Sequence, residues 1–263
     1  YIHSNGNDGS AYEHNSYTAA ERITFQFNRY GPLRTNCLGN ALKDRSAGLV
    51  VRYNWIESGN RQLDLVDAED SVALQTNALY RTTRVYGNIL IEPEGAGNSQ
   101  IVHYGGDSGD TSIYRKGTLY FYHNTVVSTR PGNTTLLRLS TNDERCDARN
   151  NIVYVSAAGS TLSLLDADGV LDLSHNWMKP GWVATFGTLT GQINNDSCRL
   201  TTSQSISADG HTVAFISYAS NLDPTDVQCA ASALCQDAFL LDRETEGNGR
   251  LDEPGLTHLT RVS

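Results

Sequence analysis

An asparagine recurs in one local context along the chain, and this repeat is the feature that most constrains the fold. Each copy has an apolar residue three positions before the asparagine and another two positions after it, as in LYFYHNTVV around Asn124. Successive copies are 26, 34, 36, 27 and 25 residues apart. Periods of this length indicate structural repeats that stack on one another. The six copies are centred on Asn28, Asn54, Asn88, Asn124, Asn151 and Asn176.

The residue type predicts the geometry of the repeat. Asparagine is depleted from strands because its side chain competes for backbone hydrogen bonds. It is also the non-glycine residue that best tolerates the left-handed backbone region. We therefore predict that each asparagine adopts this conformation and bends a strand sharply. In a stack of such bends, each amide can hydrogen-bond to the amides above and below it. The repeat thus predicts a coiled parallel sheet with a ladder of asparagines along one corner.

A second strand is predicted ahead of the asparagine in each turn of this coil. In the two shortest turns, a pair of leucines stands 14 and 12 residues before the asparagine. These pairs are Leu137 with Leu139, and Leu162 with Leu164. In the longer turns the same strand is predicted at residues 62–67 and 99–104. Stacked apolar residues from successive turns would then fill the core.

Residues 1–195 resemble the right-handed parallel β-helix of the pectate-lyase-like superfamily. The resemblance lies in the asparagine segments and in the stretch LKDRSAGLVVRYNWIESGNRQLDL at residues 42–65. It implies an all-β fold and an extracellular or periplasmic protein that engages a polysaccharide. Such a protein is either a polysaccharide lyase or glycoside hydrolase acting on acidic glycans, or a non-catalytic surface, adhesion or scaffold module.

Residues 196–263 follow a different pattern. The segments SISADGHTVAFISYASNL (205–222) and QDAFLLDRETEG (236–247) resemble one repeat of a TolB-type β-propeller. A single blade cannot bury its own faces, so we expect an incomplete, loosely held module.

The segment DRETEGNGRLDE (242–253) alternates acids with glycine like a Ca²⁺ loop, and a solvated turn is the alternative. Cys229 and Cys235 are spaced to close a small disulfide loop or are buried thiols.

The longer turns of the coil carry extra residues at one corner. These are AEDSVALQTNALY at 68–80 and GGDSGDTSIYRKG at 105–117, with LKDRS at 42–46 one turn earlier. Loops stacked on a rigid scaffold are where a solenoid builds a binding site. We therefore predict a groove at this corner. The alternative is a set of solvated turns whose charges keep the protein soluble.

The loop residues have the types that cleavage of an acidic polysaccharide requires. β-Elimination needs a cation on the uronate carboxylate, a base for the C5 proton and an acid for the leaving oxygen. Hydrolysis instead needs two carboxylic acids at a defined separation. The candidate catalytic residues are Lys43, Arg45 and His103. The candidate substrate-binding residues are Arg81, Tyr104, Tyr114, Arg115 and Lys116, and the candidate Ca²⁺ ligands are Asp67, Asp70, Asp107 and Asp110.

One segment resembles alginate- and chondroitin-type lyases more closely. In RSAGLVVRYNWI (45–56), Arg45 and Ser46 stand where that family has a basic Lys-Ser pair. The structural Arg-x-Asn and Leu-x-Leu elements are matched by Arg52 with Asn54 and by Leu63 with Leu65. Val66, however, stands where the family has its second catalytic cation, an arginine. This departure favours the non-catalytic alternative.

A second polar cluster, HNSY at residues 14–17, precedes the first asparagine segment. His14 and Tyr17 can act as a proton-transfer pair, but we favour the interpretation that they close the edge of a turn.

Charge and hydropathy exclude other function classes. The net charge of −9 argues against nucleic acid and anionic membrane surfaces as partners. No apolar run approaches the roughly 18 residues that span a bilayer, so no membrane insertion is expected. With 39% hydrophobic residues the chain can form a packed core, and we expect a monomer.

Overall fold

The computed structural model describes residues 1–156, 161–179, 181–195, 205–206, 212–217, 237–242, 245 and 258–261. The chain divides into two compact units, Tyr1–Cys198 and Arg199–Ser263. In its described residues the first unit consists of short strands and one four-residue helix, α1 (Val72–Gln75). That helix is too short to cross a bilayer, and the described residues contain no other helix that could.

Nineteen strands of the first unit form three parallel sheets. The first sheet contains β1 (Ser16–Thr18), β4 (Leu42–Asp44), β7 (Leu63–Leu65), β10 (Gln100–Tyr104), β13 (Thr134–Leu139) and β16 (Leu162–Leu165). The second contains β2 (Thr24–Gln26), β5 (Val50–Arg52), β8 (Thr82–Tyr86), β11 (Thr118–Tyr122), β14 (Arg145–Arg149), β17 (Val170–Ser174) and β19 (Gln192–Asn195). The third contains β3 (Arg29–Tyr30), β6 (Trp55–Glu57), β9 (Ile89–Glu92), β12 (Thr125–Ser128), β15 (Ile152–Val155) and β18 (Trp177–Met178).

Each strand pairs with its counterparts in the neighbouring turns, so the chain coils from one sheet to the next and returns. This is the topology of an all-β solenoid and is compatible with a parallel β-helix. The apolar positions predicted around the asparagines pair in register. Phe25 pairs with Val51 before the asparagine, and Tyr30 pairs with Ile56 after it. The buried apolar side chains of all three sheets form one continuous core.

The predicted asparagine ladder is confirmed. The Nδ2 of each ladder asparagine donates to Oδ1 of the next, over five steps of 2.8 to 3.1 Å between Asn28 and Asn176. The backbone N–H of the same asparagine donates to that Oδ1 at 2.9 to 3.1 Å. One oxygen therefore accepts two hydrogen bonds at every step, and the buried amides are satisfied inside the stack.

The left-handed residue lies one position earlier than we predicted. The asparagines themselves do not adopt positive φ, and that expectation is wrong. Positive φ values of 53° to 67° occur instead at the residue before each ladder asparagine; these residues are Phe27, Tyr53, Gly87, His123, Asn150 and His175. The bend precedes the asparagine because the asparagine must direct its own backbone N–H along the coil axis to the next Oδ1.

The strand predicted ahead of the asparagine exists, but its register in the last turn was predicted wrongly. Leu137 pairs with Leu165, and Leu162 pairs with Thr134. The reason is a shorter corner. Arg145 lies eight positions after Leu137, whereas Val170, the partner of Arg145, lies five positions after Leu165. A prediction that counts backwards from the asparagine therefore pairs Leu137 with Leu162, three positions before its true partner Leu165. In the longer turns the strand lies at β7 and β10, within the predicted ranges.

The second unit contains a four-stranded antiparallel sheet. Its strands are β20 (Ser205–Ile206), β21 (Thr212–Ser217), β22 (Asp237–Asp242) and β23 (His258–Arg261), in that order across the sheet. β20 and β21 lie within the segment at 205–222, and β22 lies within the segment at 236–247. The proposed disulfide between Cys229 and Cys235 lies outside the described residues, as does nearly all of the predicted Ca²⁺ loop at 242–253.

Candidate functional site

The outward face of the first sheet carries a row of polar side chains. The pairing register aligns Tyr17, Lys43, Asp64, His103 and Arg138 across five neighbouring strands. Side chains alternate between the two faces of a strand, so these residues face away from the buried leucines beside them. We call these five residues the polar row. An outward row of ionisable groups on a rigid sheet is held in fixed geometry, which is what a binding site requires.

A cleft opens at the Tyr17 end of the polar row. It has a volume of about 310 Å³ and lies where the inserted loops at 68–80 and 105–117 project beyond the sheet. Its walls combine cations, carboxylates and aromatic rings. The lining residues are Ala11, Tyr12, His14, Tyr17, Lys43, Arg45, Glu69, Asp107 and Ser108. Of the three predicted catalytic residues, two line this cleft.

Arg45 is held by hydrogen bonds and ion pairs to residues on several sides of the cleft. Its Nε donates to Tyr17 Oη at 2.7 Å, and its guanidinium pairs with Glu69 at 2.7 Å and with Asp107 at 3.0 Å. A further hydrogen bond reaches the carbonyl oxygen of Asp67. The guanidinium is thus fixed in orientation, and its carboxylate partners come from both inserted loops.

Lys43 lies beside Arg45 and contacts two carboxylates. Its Nζ hydrogen-bonds to Asp107 and lies 3.3 Å from Asp64 Oδ2. The ammonium is also 6.0 Å from the centre of the Tyr17 ring, within the range of a cation–π contact. Asp107 therefore bridges the two cations of the cleft.

Asp64 connects the cleft with His103. The His103 Nδ1 lies 2.7 Å from Asp64 Oδ1, and Asn40 Nδ2 donates to Asp64 Oδ2 at 2.8 Å. Burial opposes the charge of Asp64, yet the hydrogen bond from His103 and the charges of Lys43 and Arg61 hold its pKa below the usual range. Burial lowers the pKa of His103. A neutral His103 thus donates to an ionised Asp64.

His103 itself lies beneath the surface rather than at the cleft wall. It is 3% exposed, and its Nε2 lies 2.9 Å from Ser140 Oγ. The structure therefore places His103 where it orients Asp64 and, through it, Lys43. It does not place the imidazole where a polymer can reach it.

His14 lines the cleft and is uncharged at neutral pH. Its Nδ1 accepts the backbone N–H of Asn40 at 2.8 Å, so the ring proton lies on Nε2. Burial and the positive charge of Lys43 lower the pKa of His14 to about 4. Its ring packs edge-on against Tyr17, with 5.5 Å between the ring centres. The cluster that we expected to close the edge of a turn also belongs to the cleft.

Two predicted substrate-binding residues lie in the interior. Tyr104 and Arg115 are both fully buried. Arg115 donates to the carbonyl oxygens of Ser46 at 2.8 Å and Val66 at 2.9 Å, and its guanidinium lies 3.6 Å from Asp44. Arg115 thus fastens the 105–117 loop to the two preceding turns from beneath. Val66, at the position of the lyase arginine, is buried as well.

The other predicted substrate-binding residues lie on the loops but outside the cleft lining. Tyr114 is 9% exposed, and its Oη accepts the backbone N–H of Gly109 at 3.2 Å. Arg81 donates to the carbonyl oxygen of Lys116 at 3.2 Å, and Lys116 pairs with Asp143 at 3.3 Å. The Tyr114 contact lies within the 105–117 loop, and the contacts of Lys116 join that loop to the neighbouring turns.

The four predicted Ca²⁺ ligands do not form one cluster, although Asp67 and Asp107 both lie beside Arg45, at 3.8 and 3.0 Å. Asp67 is buried, and its Oδ1 accepts the backbone N–H groups of Asp107 at 2.7 Å and Ser108 at 3.4 Å. Asp70 is exposed, and the exposed Asp110 accepts hydrogen bonds from Ser112. Among the residues with described positions, no three His, Cys, Asp or Glu side chains are arranged to hold a metal ion.

Comparisons of this chain with protein-family models, with curated proteins and with solved structures gave no match.

Proposed function

We propose that the first unit is a right-handed parallel β-helix of the pectate-lyase-like superfamily that binds an acidic polysaccharide and cleaves it by β-elimination. The observation that carries this proposal is the cleft itself. Two fixed cations, Lys43 and Arg45, stand beside a tyrosine hydroxyl and a neutral histidine on the outward face of a parallel sheet. These are the groups that the reaction requires, held by strands and stacked loops.

The proposed chemistry assigns a role to each group. Lys43 and Arg45 bind the carboxylate of the uronate, which acidifies its C5 proton. Tyr17 in its phenolate form removes that proton, the C4–C5 double bond forms, and the bond from C4 to the leaving oxygen breaks. Tyr17 then returns the proton to the leaving oxygen, so that the enzyme is regenerated. His14 donates its Nε2 proton in a hydrogen bond to the bound sugar.

The alternative is a module that binds an acidic glycan without cleaving it. One observation favours it: both cleft cations are already neutralised within the protein, Lys43 by Asp64 and Asp107, and Arg45 by Glu69 and Asp107. A substrate carboxylate must displace Asp107 before it meets either cation. The buried Val66, in place of a second catalytic arginine, points the same way.

One assay separates these functions. Purified protein is incubated with polygalacturonate and with alginate, in Ca²⁺ and in chelator, and both reducing ends and ultraviolet absorbance are followed. Elimination gives both signals, because its product carries a conjugated double bond. Hydrolysis gives reducing ends alone. Binding without either signal supports the non-catalytic module, and a Ca²⁺ requirement supports a metal on the substrate carboxylate.

Variants locate the activity. Tyr17→Phe removes the hydroxyl and is expected to abolish elimination while retaining polymer binding. Tyr154→Phe removes a hydroxyl from an exposed tyrosine on the third sheet and serves as the matched control. Equal activity of Tyr17→Phe and wild-type protein would rule out the proposed proton transfer.

We further propose that the second unit is one blade of a TolB-type propeller. Its four antiparallel strands support this, since propeller blades are four-stranded sheets. Limited proteolysis that removes this unit without loss of cleft activity is the expected result.

A further inference from the structure

The outward face of the second sheet differs from the rest of this acidic protein. Four neighbouring strands, β2, β5, β8 and β11, contain no aspartate or glutamate. Their outward positions include Arg52 and Arg84, which lie on two adjacent strands. The chain as a whole has a net charge of −9, so this cationic surface is a local segregation of charge.

Aromatic rings run along the same surface at the asparagine corner. Phe27 lies 5.7 Å from Tyr53, Tyr53 lies 5.5 Å from Tyr86, and Tyr86 lies 4.9 Å from Tyr122, between ring centres. Phe27 is 76% exposed and Tyr53 is 49% exposed. These rings belong to four successive turns, so they cover about 14 Å along the coil. We call Phe27, Tyr53, Tyr86, Tyr122, Arg52 and Arg84 the aromatic strip.

The arginines of the aromatic strip are oriented by uncharged neighbours. Arg52 donates to Gln26 Oε1 at 2.9 Å and to Tyr86 Oη at 3.0 Å, and the Arg84 guanidinium lies 5.7 Å from the centre of the Tyr120 ring. Within the described part of the chain, neither guanidinium pairs with a carboxylate.

The next two strands of the sheet are different. Arg145 pairs with Asp172 at 2.5 Å, and Arg149 approaches Asp147 at 3.7 Å. The absence of acidic partners is therefore specific to the aromatic strip and is not a property of the whole face.

We propose that the aromatic strip is a second binding surface for the acidic polysaccharide, separate from the cleft. Guanidinium groups bind carboxylates through charge-assisted hydrogen bonds, and among the described residues no carboxylate of the protein occupies these two. Exposed rings supply apolar surface for the C–H groups of a sugar, and the tyrosine hydroxyls can bond to its oxygens. The identity of the ligand rests on the proposed function, whereas the location rests on the charge and the rings. A polymer held here raises the local concentration of its other segments at the cleft.

The test measures binding of the intact chain to polygalacturonate by affinity electrophoresis, with a neutral glucan and single-stranded DNA as comparison ligands. The double variant Arg52→Gln/Arg84→Gln is expected to raise the dissociation constant about tenfold. The control is Arg145→Gln, which removes an ion-paired arginine from the same sheet face and is expected to leave the dissociation constant nearly unchanged. Arg149 is unsuitable as a control, because its guanidinium lies 5.7 Å from the centre of the Tyr122 ring of the strip. Phe27→Ala removes a ring that is too exposed to support the fold and is expected to weaken binding as well.

The outcomes separate this proposal from that for the cleft. Retention of wild-type affinity by Arg52→Gln/Arg84→Gln overturns the aromatic strip as a binding surface, and so does tighter binding of DNA or neutral glucan by the wild-type protein. Cleavage of short oligogalacturonates depends on the cleft alone and is expected to be unchanged in the strip variants. Polymer binding that is lost in the strip variants but kept in Lys43→Ala/Arg45→Ala supports the strip even if no cleavage is found.

Discussion

Replacing Asp107 with asparagine is expected to tighten the binding of acidic glycans. Asp107 contacts Lys43 and lies 3.0 Å from Arg45, so its carboxylate occupies the cations that a uronate needs. Its position does not depend on its charge, because the backbone N–H of Asp107 is held by Asp67 Oδ1 at 2.7 Å. The substitution therefore removes the competing charge and leaves the loop in place.

The size of the effect follows from the exposure of the pair. The Asp107 side chain is 28% exposed and those of Lys43 and Arg45 are 12% and 7% exposed, so the pairs lie between surface and buried ion pairs. A hydrogen bond between charged groups in such a setting contributes about 1.5 kcal/mol. Its removal is expected to lower the dissociation constant for an oligogalacturonate about tenfold, measured by isothermal titration calorimetry. The free energy of unfolding is expected to fall by a similar amount.

Asp110→Asn is the matched control, because Asp110 lies on the same loop and, among the described contacts, its carboxylate accepts hydrogen bonds from Ser112 alone. It is expected to leave the affinity unchanged. If Asp107→Asn binds the oligomer no more tightly than Asp110→Asn, then Asp107 does not compete with substrate, and the cleft is not the carboxylate site.

Three further predictions concern stability. Asn124→Ala leaves the backbone N–H and Nδ2 of Asn88 without their acceptor and is expected to lower the free energy of unfolding by about 3 kcal/mol in urea denaturation. Asn28→Ala, at the first step of the ladder, is expected to cost about 1 kcal/mol, and equal losses would contradict the ladder argument. Burial raises the pKa of Glu92 from 4.5 to about 8, so the folded state holds this proton more tightly than the unfolded state. The resulting stability is complete below the unfolded pKa and is lost as the pH rises through the folded pKa, by about 5 kcal/mol in total. In Glu92→Gln, the free energy of unfolding is expected to depend less on pH, as measured by denaturation at a series of pH values. A slope equal to that of the wild-type protein would refute this assignment. Arg115→Ala leaves Asp44 without its buried cation and is expected to cost about 3 kcal/mol. Faster proteolysis of the 105–117 loop in the variant would show that the loop has lost this anchor. Resistance equal to that of the wild-type protein would mean that Arg115 does not fasten the loop.

The sequence was sufficient to predict the coil, because the signal is local and repeated. Each asparagine segment places its apolar residues at the same offsets, and neighbouring turns then pair in register. The left-handed residue escaped prediction because the positions before the asparagine share no residue type: Phe27, Gly87 and His123 all occupy it. The register of Leu165 was missed because corner length varies independently of strand spacing.

The candidate site could be predicted only in part. Lys43, Arg45 and Asp107 do meet, because stacked strands carry their adjoining loops to the same corner. Side chains alternate along β10, so Tyr104 points inward and the adjacent His103 points outward. The same alternation in QLDLVD (residues 62–67) identifies Asp64 as an outward residue. The burial of Arg115 depends on the path of an irregular loop, which no periodicity in the sequence reveals.

Because of the ladder, every turn of the coil joins its neighbours in the same way. Every turn from Asn28 to Asn151 offers two donors towards its successor, and every turn from Asn54 to Asn176 offers one acceptor oxygen towards its predecessor. Any two such turns therefore join through the same three atoms, whatever the length of their loops. A duplicated turn can be spliced in without disturbing its neighbours, and it lengthens the outer surface by one strand spacing. A fraction of a turn cannot be inserted in the same way. It would place the asparagine Oδ1 opposite groups other than the backbone N–H and Nδ2 that donate to it.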